Sequence, residues 1–253
     1  MITLTDVCAG YPGKEILHHI TAFFPPARLS VIVGPNGCGK TTLLRTISTG
    51  LPLMHGSITV ADRPLSDYDP AALARTVAVL PQSREAPDAI VSRLVLYGRF
   101  PRLRYPRHYR REDYDIAAAA MERAGVTALG DRPLRSLSGG ERQRVYLAMV
   151  LAQDTPVILL DEPTTFLDIR AQLDLLALLG TLRDEGKTII AVLHDLESAL
   201  RTADAVLVMR DGCAAAFDTP EKLAQTHTFD DIFHVRTALY TADDGDKRYF
   251  FRN

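Results

Sequence analysis

The sequence predicts an α/β fold built on a mostly parallel sheet, with a helical lobe inserted into it. Three features predict this. Apolar runs such as ARLSVIV, TPVILLDEP and KTIIAVLH are continuous rather than alternating, as expected of strands buried on both faces. Such strands alternate with helical segments. Residues 89–150 carry helical patterns and no strand signal.

In chain order, residues 1–33 read as short strands, with ILHHITAFF rich in apolar and β-branched residues. ARLSVIV ends at Gly34, and a helix opens at Gly39–Lys40, runs through TTLLRTIS and stops at Gly50. GSITVADRPL and TVAVLPQ are further strands. Character changes after about Ala86, where the helical lobe begins, with IAAAAMERAG its clearest helix. The core resumes at TPVILLDEP. IRAQLDLLALLGTLRDEG is an amphipathic helix with Ile169, Leu173, Leu176 and Leu182 on its apolar stripe. KTIIAVLH and DAVLVMRDG are buried strands, and TFDDIFHV and KRYFFRN form a terminal helix and strand.

Bulk properties narrow the function classes. The 253 residues suit one domain with an inserted lobe or two small domains. With 47% hydrophobic and 24% charged residues, the chain can build a core and is not disordered. A net charge of −2 gives no global reason to expect nucleic acid. No apolar run is long enough to span a bilayer, and the first residues do not resemble a secretory signal. Cys8, Cys38 and Cys213 show neither metal spacing nor a disulfide framework, which suggests a reduced, cytoplasmic setting.

Three motifs carry chemistry. The first is GPNGCGKTT, comprising Gly34, Pro35, Asn36, Gly37, Cys38, Gly39, Lys40, Thr41 and Thr42. Strand, glycine-rich turn and helix form a phosphate cradle, because backbone N–H groups curl around anionic oxygens at the positive end of the helix. Lys40 is expected to reach the β- and γ-phosphates of ATP, and Thr41 to ligate Mg²⁺. Cys38 has two readings: a small residue that fits the loop, or a thiol acidified by the helix N-terminus. The second motif is VILLDEP, where Asp161 and Glu162 end a buried strand. Alternation along the strand would point them to opposite faces and separate their tasks, Asp161 holding the Mg²⁺ shell and Glu162 activating the attacking water. The third is LSGGERQ, where Ser138, Gly139, Gly140 and Glu141 precede a helix and make a second plausible anion cradle.

GPNGCGKTT, LSGGERQ and VILLDEP, in this order, resemble the nucleotide-binding subunit of an ABC transporter, and the resemblance covers nearly the whole chain. It implies a P-loop NTPase (RecA-like) core with an N-terminal antiparallel β-subdomain, over about 1–85 and 151–253, and an inserted helical subdomain over about 86–150. It implies an ATPase in which two copies pair head to tail, each ATP lying between one copy's glycine loop and the Ser138, Gly139, Gly140 and Glu141 of the other. A two-fold dimer joins half-sites that one chain keeps apart. Tyr11 falls where the family stacks an aromatic on adenine. Gln82 falls at the residue that senses Mg²⁺ and moves the lobe, Asp168 at the D-loop aspartate and His194 at the switch histidine. Read without the family, Asp168 is an N-cap, His194 a structural histidine and Tyr11 a strand-end tyrosine.

A cassette without a membrane span implies separate transmembrane permease subunits, an indirect link to a substrate-binding protein, and a peripheral place on the cytoplasmic face of the cell membrane. Phe166 stands where the common pattern has a small residue, and with YGRFP (Tyr97–Pro101) it is similar to ATPases of iron-chelate, haem and cobalamin importers. Ferric siderophore import is the favoured reading, with haem or cobalamin as alternatives. A soluble ABC ATPase of DNA repair or translation is the rival, without its usual coiled-coil insertion or second cassette. RFPRLRYPRHYRR (Arg99–Arg111) is open to three readings: a solvated loop, a contact with the membrane subunit or anionic lipid, or a nucleic-acid patch.

Overall fold

Hydrophobic alternation opens the chain. In the computed structural model, which describes residues 1–82, 87–241 and 247–252, β1 (Ile2–Tyr11) turns through Pro12–Gly13 into β2 (Lys14–Phe24). These strands are ten and eleven residues long rather than short. Register shifts around Asp6 and Cys8 mark bulges that let both strands continue. The Asp6 carboxylate in the bulge meets His19 Nδ1 at 2.8 Å and His55 Nε2 at 3.0 Å.

β3 (Leu29–Val33) is buried at all five residues. α1 (Lys40–Ile47) follows the glycine loop. Its stop is one residue earlier than Gly50 suggests: Thr49 takes the left-handed position (φ 60), and the Gly50 N–H donates to Arg45 O at 2.7 Å. β4 (Leu53–Val60) and β5 (Arg63–Pro64) form a hairpin whose two turn residues, Ala61 and Asp62, are both left-handed. α2 (Pro70–Thr76) is a helix not anticipated from the sequence; Asp69 caps it, accepting from Ala72 N at 2.7 Å.

β6 (Val77–Leu80) precedes the lobe helices α3 (Val91–Tyr97), α4 (Arg111–Arg123) and α5 (Gly139–Gln153). β7 (Val157–Asp161) is wholly buried. α6 (Ile169–Asp184) buries Leu175, Leu176, Leu179 and Leu182. Ile169 and Leu173, expected on the buried stripe, are 78% and 44% exposed. Their angle is right, since Ile169 and Leu176 lie seven residues apart. The first turns of α6 instead stand clear of the packing that covers its later turns. β8 (Thr188–Val192), α7 (Leu196–Thr202), β9 (Ala205–Arg210) and β10 (Cys213–Asp218) follow. The expected terminal helix and strand are joined by further elements: α8 (Pro220–Gln225), α9 (Thr228–Phe233), and the hairpin of β11 (Arg236–Thr241) with β12 (Lys247–Arg252).

The chain divides into two compact units, Met1–Asp67 with Arg183–Asn253, and Tyr68–Leu182. The lobe boundary expected near residues 85 and 86 lies outside the described residues. The first unit contains an antiparallel sheet ordered β2-β1-β4-β5. It also contains a set in which β3 runs parallel between β8 and β9, with β10 antiparallel at the edge. Val31, Ile32, Val33, Ile189 and Val208 are essentially inaccessible there, each contributing about 1.5–3 kcal/mol of burial. In the second unit β6 and β7 pair in parallel, Leu80 opposite Leu160, and α3, α4 and α5 pack on one another. No helix among the described residues is long and apolar enough to cross a membrane.

Candidate functional site

In the first unit the loop from Gly34 to Thr41 leaves the carboxyl end of β3. At Gly34 a Cβ would stand 2.3 Å from Met209 O, so only glycine fits. Gly39 caps α1 in a left-handed conformation (φ 104) and supplies no side chain, and the first turn holds no acidic residue. The start of α1 therefore keeps its positive character for an anion. Lys40 is buried, its Nζ donating to Gly34 O at 2.8 Å and Pro35 O at 2.9 Å. Asn36 and Gly37 are exposed on the loop tip, Pro35 and Thr41 half-buried, and Thr42 buried.

Cys38 resolves against the acidified thiol. It is 4% exposed, and burial pushes its thiol above the usual cysteine range, although Lys40, with Nζ 3.9 Å from Sγ, pulls the other way. Its N–H donates to Pro35 O at 3.3 Å, and its carbonyl accepts from Gly212 N at 3.1 Å. It is a small residue filling the inside of the turn.

Two further candidate residues belong to this unit. Tyr11 ends β1, its hydroxyl accepting from Arg45 Nη1 of α1 at 3.0 Å. β8 pairs in parallel with β3, Val192 opposite Ile32. His194, exposed two residues beyond Val192, thus leaves the sheet at the same end as Gly34, two residues beyond Ile32. Ligands of open α/β sheets collect at this carboxyl end.

The second unit repeats that placement. With Leu80 opposite Leu160, Gln82 and Glu162 each lie two residues beyond a paired strand end. Asp161, the last residue of β7, is buried. Glu162 does not follow the expected strand alternation: it lies beyond β7 with φ 52, so its side chain is aimed by a left-handed turn. Thr165 closes that turn, its N–H donating to Glu162 O at 3.3 Å and its hydroxyl lying 3.5 Å from Glu162 Oε2.

Ser138 caps α5 reciprocally. Its Oγ accepts from Glu141 N at 3.3 Å, while its own N–H and hydroxyl donate to Glu141 Oε2 at 2.8 and 2.9 Å. These bonds, with the nearby Arg132 at 3.5 Å, hold the Glu141 carboxyl below the usual carboxylate range. Phe166, left-handed at φ 68 and 76% exposed, walls this loop. A Cβ on Gly139 would lie 3.3 Å from Phe166 Cβ, and one on Gly140 3.1 Å from Phe166 O. Together Ser138, Gly139, Gly140, Phe166 and Asp168 line an open cavity of about 410 Å³. Asp168 is an N-cap, Oδ1 accepting from Ala171 N at 2.8 Å. Gln143 is a residue that sequence reasoning missed: its Nε2 donates to Pro163 O at 2.7 Å and ties α5 to the turn after Glu162.

A glycine loop between a buried strand and a helix, and carboxylates at the end of another buried strand, define the P-loop class of NTPases. Residues 17–165 match the family model described as ABC transporter. The ferric enterobactin transport ATP-binding protein of Escherichia coli (strain K12) is 40% identical over 232 residues, covering 91% of this chain and 86% of that relative. The achromobactin transport ATP-binding protein of Dickeya dadantii (strain 3937) is 39% identical over 236 residues, covering 92% and 88%. The dimeric structure of a bacterial ABC transporter cassette superposes with a TM-score of 0.77 at 25% identity, covering 87% of this chain and 99% of that one. The chain belongs to the ABC transporter family, as an ATP-binding, ATP-hydrolysing subunit.

Proposed function

We propose that this subunit energises import of a ferric siderophore through separate membrane-spanning permease subunits, working as a nucleotide-sandwich dimer. The observation that carries the dimer is the second anion cradle, the capped Ser138–Glu141 turn at the start of α5. A chain with one catalytic carboxylate and two phosphate cradles is completed by a second copy. The substrate class rests on the similarity to the ferric enterobactin and achromobactin transport ATP-binding proteins.

In this reading the loop residues Gly34–Thr42 hold the phosphates of ATP, with Lys40 exchanging its carbonyl partners for phosphate oxygens. Tyr11 supports the adenine. Thr41, Asp161 and Gln82 offer oxygen donors, the set that suits Mg²⁺. When bound, Mg²⁺ would neutralise phosphate charge. Glu162 orients and deprotonates the attacking water, and His194 contacts the γ-phosphate. Ser138, Gly139 and Gly140 grip the γ-phosphate held by the second copy, with Glu141 fixing Ser138. Asp168 combines its capping role with a contact at the dimer seam. The subunit sits peripherally on the cytoplasmic face of the membrane, and a substrate-binding protein delivers the ferric chelate to the permease.

The test is the mass of purified Glu162→Gln protein with and without Mg-ATP. The substitution is expected to keep ATP binding, slow hydrolysis by roughly 10²–10⁴-fold, and turn monomers into dimers. Adding Ser138→Arg should abolish the dimer. An ATP dimer that survives Ser138→Arg sinks the sandwich. For the substrate, the complex reconstituted with its permease should hydrolyse ATP faster when a loaded ferric-siderophore binding protein is added. Stimulation by a haem-loaded protein instead overturns that part.

A further inference from the structure

None of this chemistry uses the stretch Arg99–Arg111, which holds six arginines, one histidine and no acidic residue in a chain of net charge −2. The structure sorts these arginines into two groups. Arg99 is buried, its Nε donating to Asp113 Oδ1 and its Nη1 to Ala152 O, both at 3.0 Å. Arg102 donates from Nε to Gln153 O at 3.0 Å and from Nη2 to Asp154 O. These two fasten the stretch to the end of α5. Arg104, Arg107, Arg110 and Arg111 are exposed, together with His108. The nearest acids in the sequence are Glu112, Asp113 and Asp115 at the start of α4; Asp113 is taken up by Arg99 and by the Arg110 N–H at 3.0 Å, and Asp115 lies 3.7 Å from Arg111 in a pair that is largely solvated.

The aromatic residues sort in the same way. Tyr97 stacks on Phe100 with centroids 5.2 Å apart, and the Arg107 guanidinium lies 4.7 Å from the Phe100 centroid. Tyr109 meets Tyr114 edge-on at 6.2 Å. Tyr105 projects instead, 97% exposed between Arg104 and Pro106. The result is a braced tip that displays guanidinium groups around one amphipathic ring.

We propose that the tip Arg104–Arg111 docks on the anionic phospholipid headgroups of a bilayer, with Tyr105 seated at headgroup level. Guanidinium groups match phosphate oxygens in geometry and charge, and a tyrosine with an apolar body and polar end settles at a membrane–water interface. A braced tip loses little conformational freedom on docking. Single-stranded nucleic acid would need a row of parallel free ring faces, but Tyr97 stacks on Phe100, whose ring also carries Arg107, and Tyr109 meets Tyr114 edge-on, although Tyr97 and Tyr114 stay more than half exposed. The inference requires neither nucleotide nor permease, so it stands or falls apart from the transport reading.

The test is sedimentation of the full chain with vesicles of phosphatidylcholine alone or mixed equally with phosphatidylglycerol. Binding is expected only to the mixed vesicles, and should fade as salt shortens the Debye length from about 10 Å at 0.1 M towards about 3 Å at 1 M. Replacing Arg104, Arg107 and Arg111 together by Gln should weaken it on the order of a hundredfold, about fivefold per charge. A control with the same change in net charge, Arg170→Gln, Arg201→Gln and Arg210→Gln, should stay close to wild type. Tyr105→Ser should weaken binding without altering its salt dependence. The proposal is overturned if the control loses as much as the tip variant, if neutral vesicles bind equally, if the mixed vesicles do not bind at low salt, or if the tip is needed for binding DNA and not for binding vesicles.

Discussion

Ser138 caps α5 and, in the proposed dimer, has a second task that substitution can separate from the first. In the folded chain its Oγ accepts the Glu141 N–H at 3.3 Å and donates to Glu141 Oε2 at 2.9 Å, closing the N-terminus of α5. In the proposed dimer the same hydroxyl faces a phosphate. Ser138→Ala removes both. Loss of the cap costs about 1 kcal/mol, a drop in Tm of about 2–4 °C for a chain of this size. Ser138→Thr keeps cap and hydroxyl and should be near wild type in stability. Ser138→Asp keeps an acceptor for the Glu141 N–H but turns a negative charge towards the phosphate and the Glu141 carboxylate. At about 4 Å and an effective dielectric near 20, one unit charge on another costs about 4 kcal/mol, roughly a thousandfold in ATP-driven dimerisation. Thermal melts and ATP-dependent mass measured on one set of proteins separate the effects. The reasoning fails if Ser138→Asp still dimerises with ATP, or if Ser138→Ala melts with wild type.

Two other predictions concern groups that the structure buries. Burial would raise the Asp113 carboxyl, but hydrogen bonds from Arg110 N–H and Arg99 outweigh it and hold the group below the usual carboxylate range. A depressed carboxylate lends stability that is fully present above its unfolded value, about pH 4, and is lost as pH falls through the folded one. Asp113→Asn should therefore flatten the acid limb of the melting curve and, by leaving Arg99 buried and unpaired, cost about 3–5 kcal/mol near neutral pH. Equal stability of the two proteins at neutral pH rejects this. Cys38, buried with its thiol pushed up, should resist alkylation in the folded protein while the exposed Cys213 reacts. Peptide mapping after brief labelling checks it, and fast modification of Cys38 contradicts the assigned burial.

What was legible in the sequence was local. Gly34–Thr42 needs only a strand, permissive glycines and a helix start, all within ten residues, so the loop and its phosphate chemistry follow from neighbours along the chain. Ser138 and Glu141, three residues apart, likewise meet within one turn of α5. The strands of the parallel sets announce themselves because burial on both faces demands continuous apolar runs.

What only the tertiary structure decided were matters of distant packing. Glu162 leaves its strand through a left-handed turn rather than alternating with Asp161. Phe166 is placed against Gly139 and Gly140, more than twenty residues earlier in the chain. Arg99 and Arg102 look like members of one basic run, yet they are fastened to Ala152–Asp154, about fifty residues away. Ile169 has the right helical angle for the core but extends past the surface that covers Leu176. Periodicity and residue type report which side chains could be buried or charged. Which of them find a partner depends on chain segments that meet only when the fold closes.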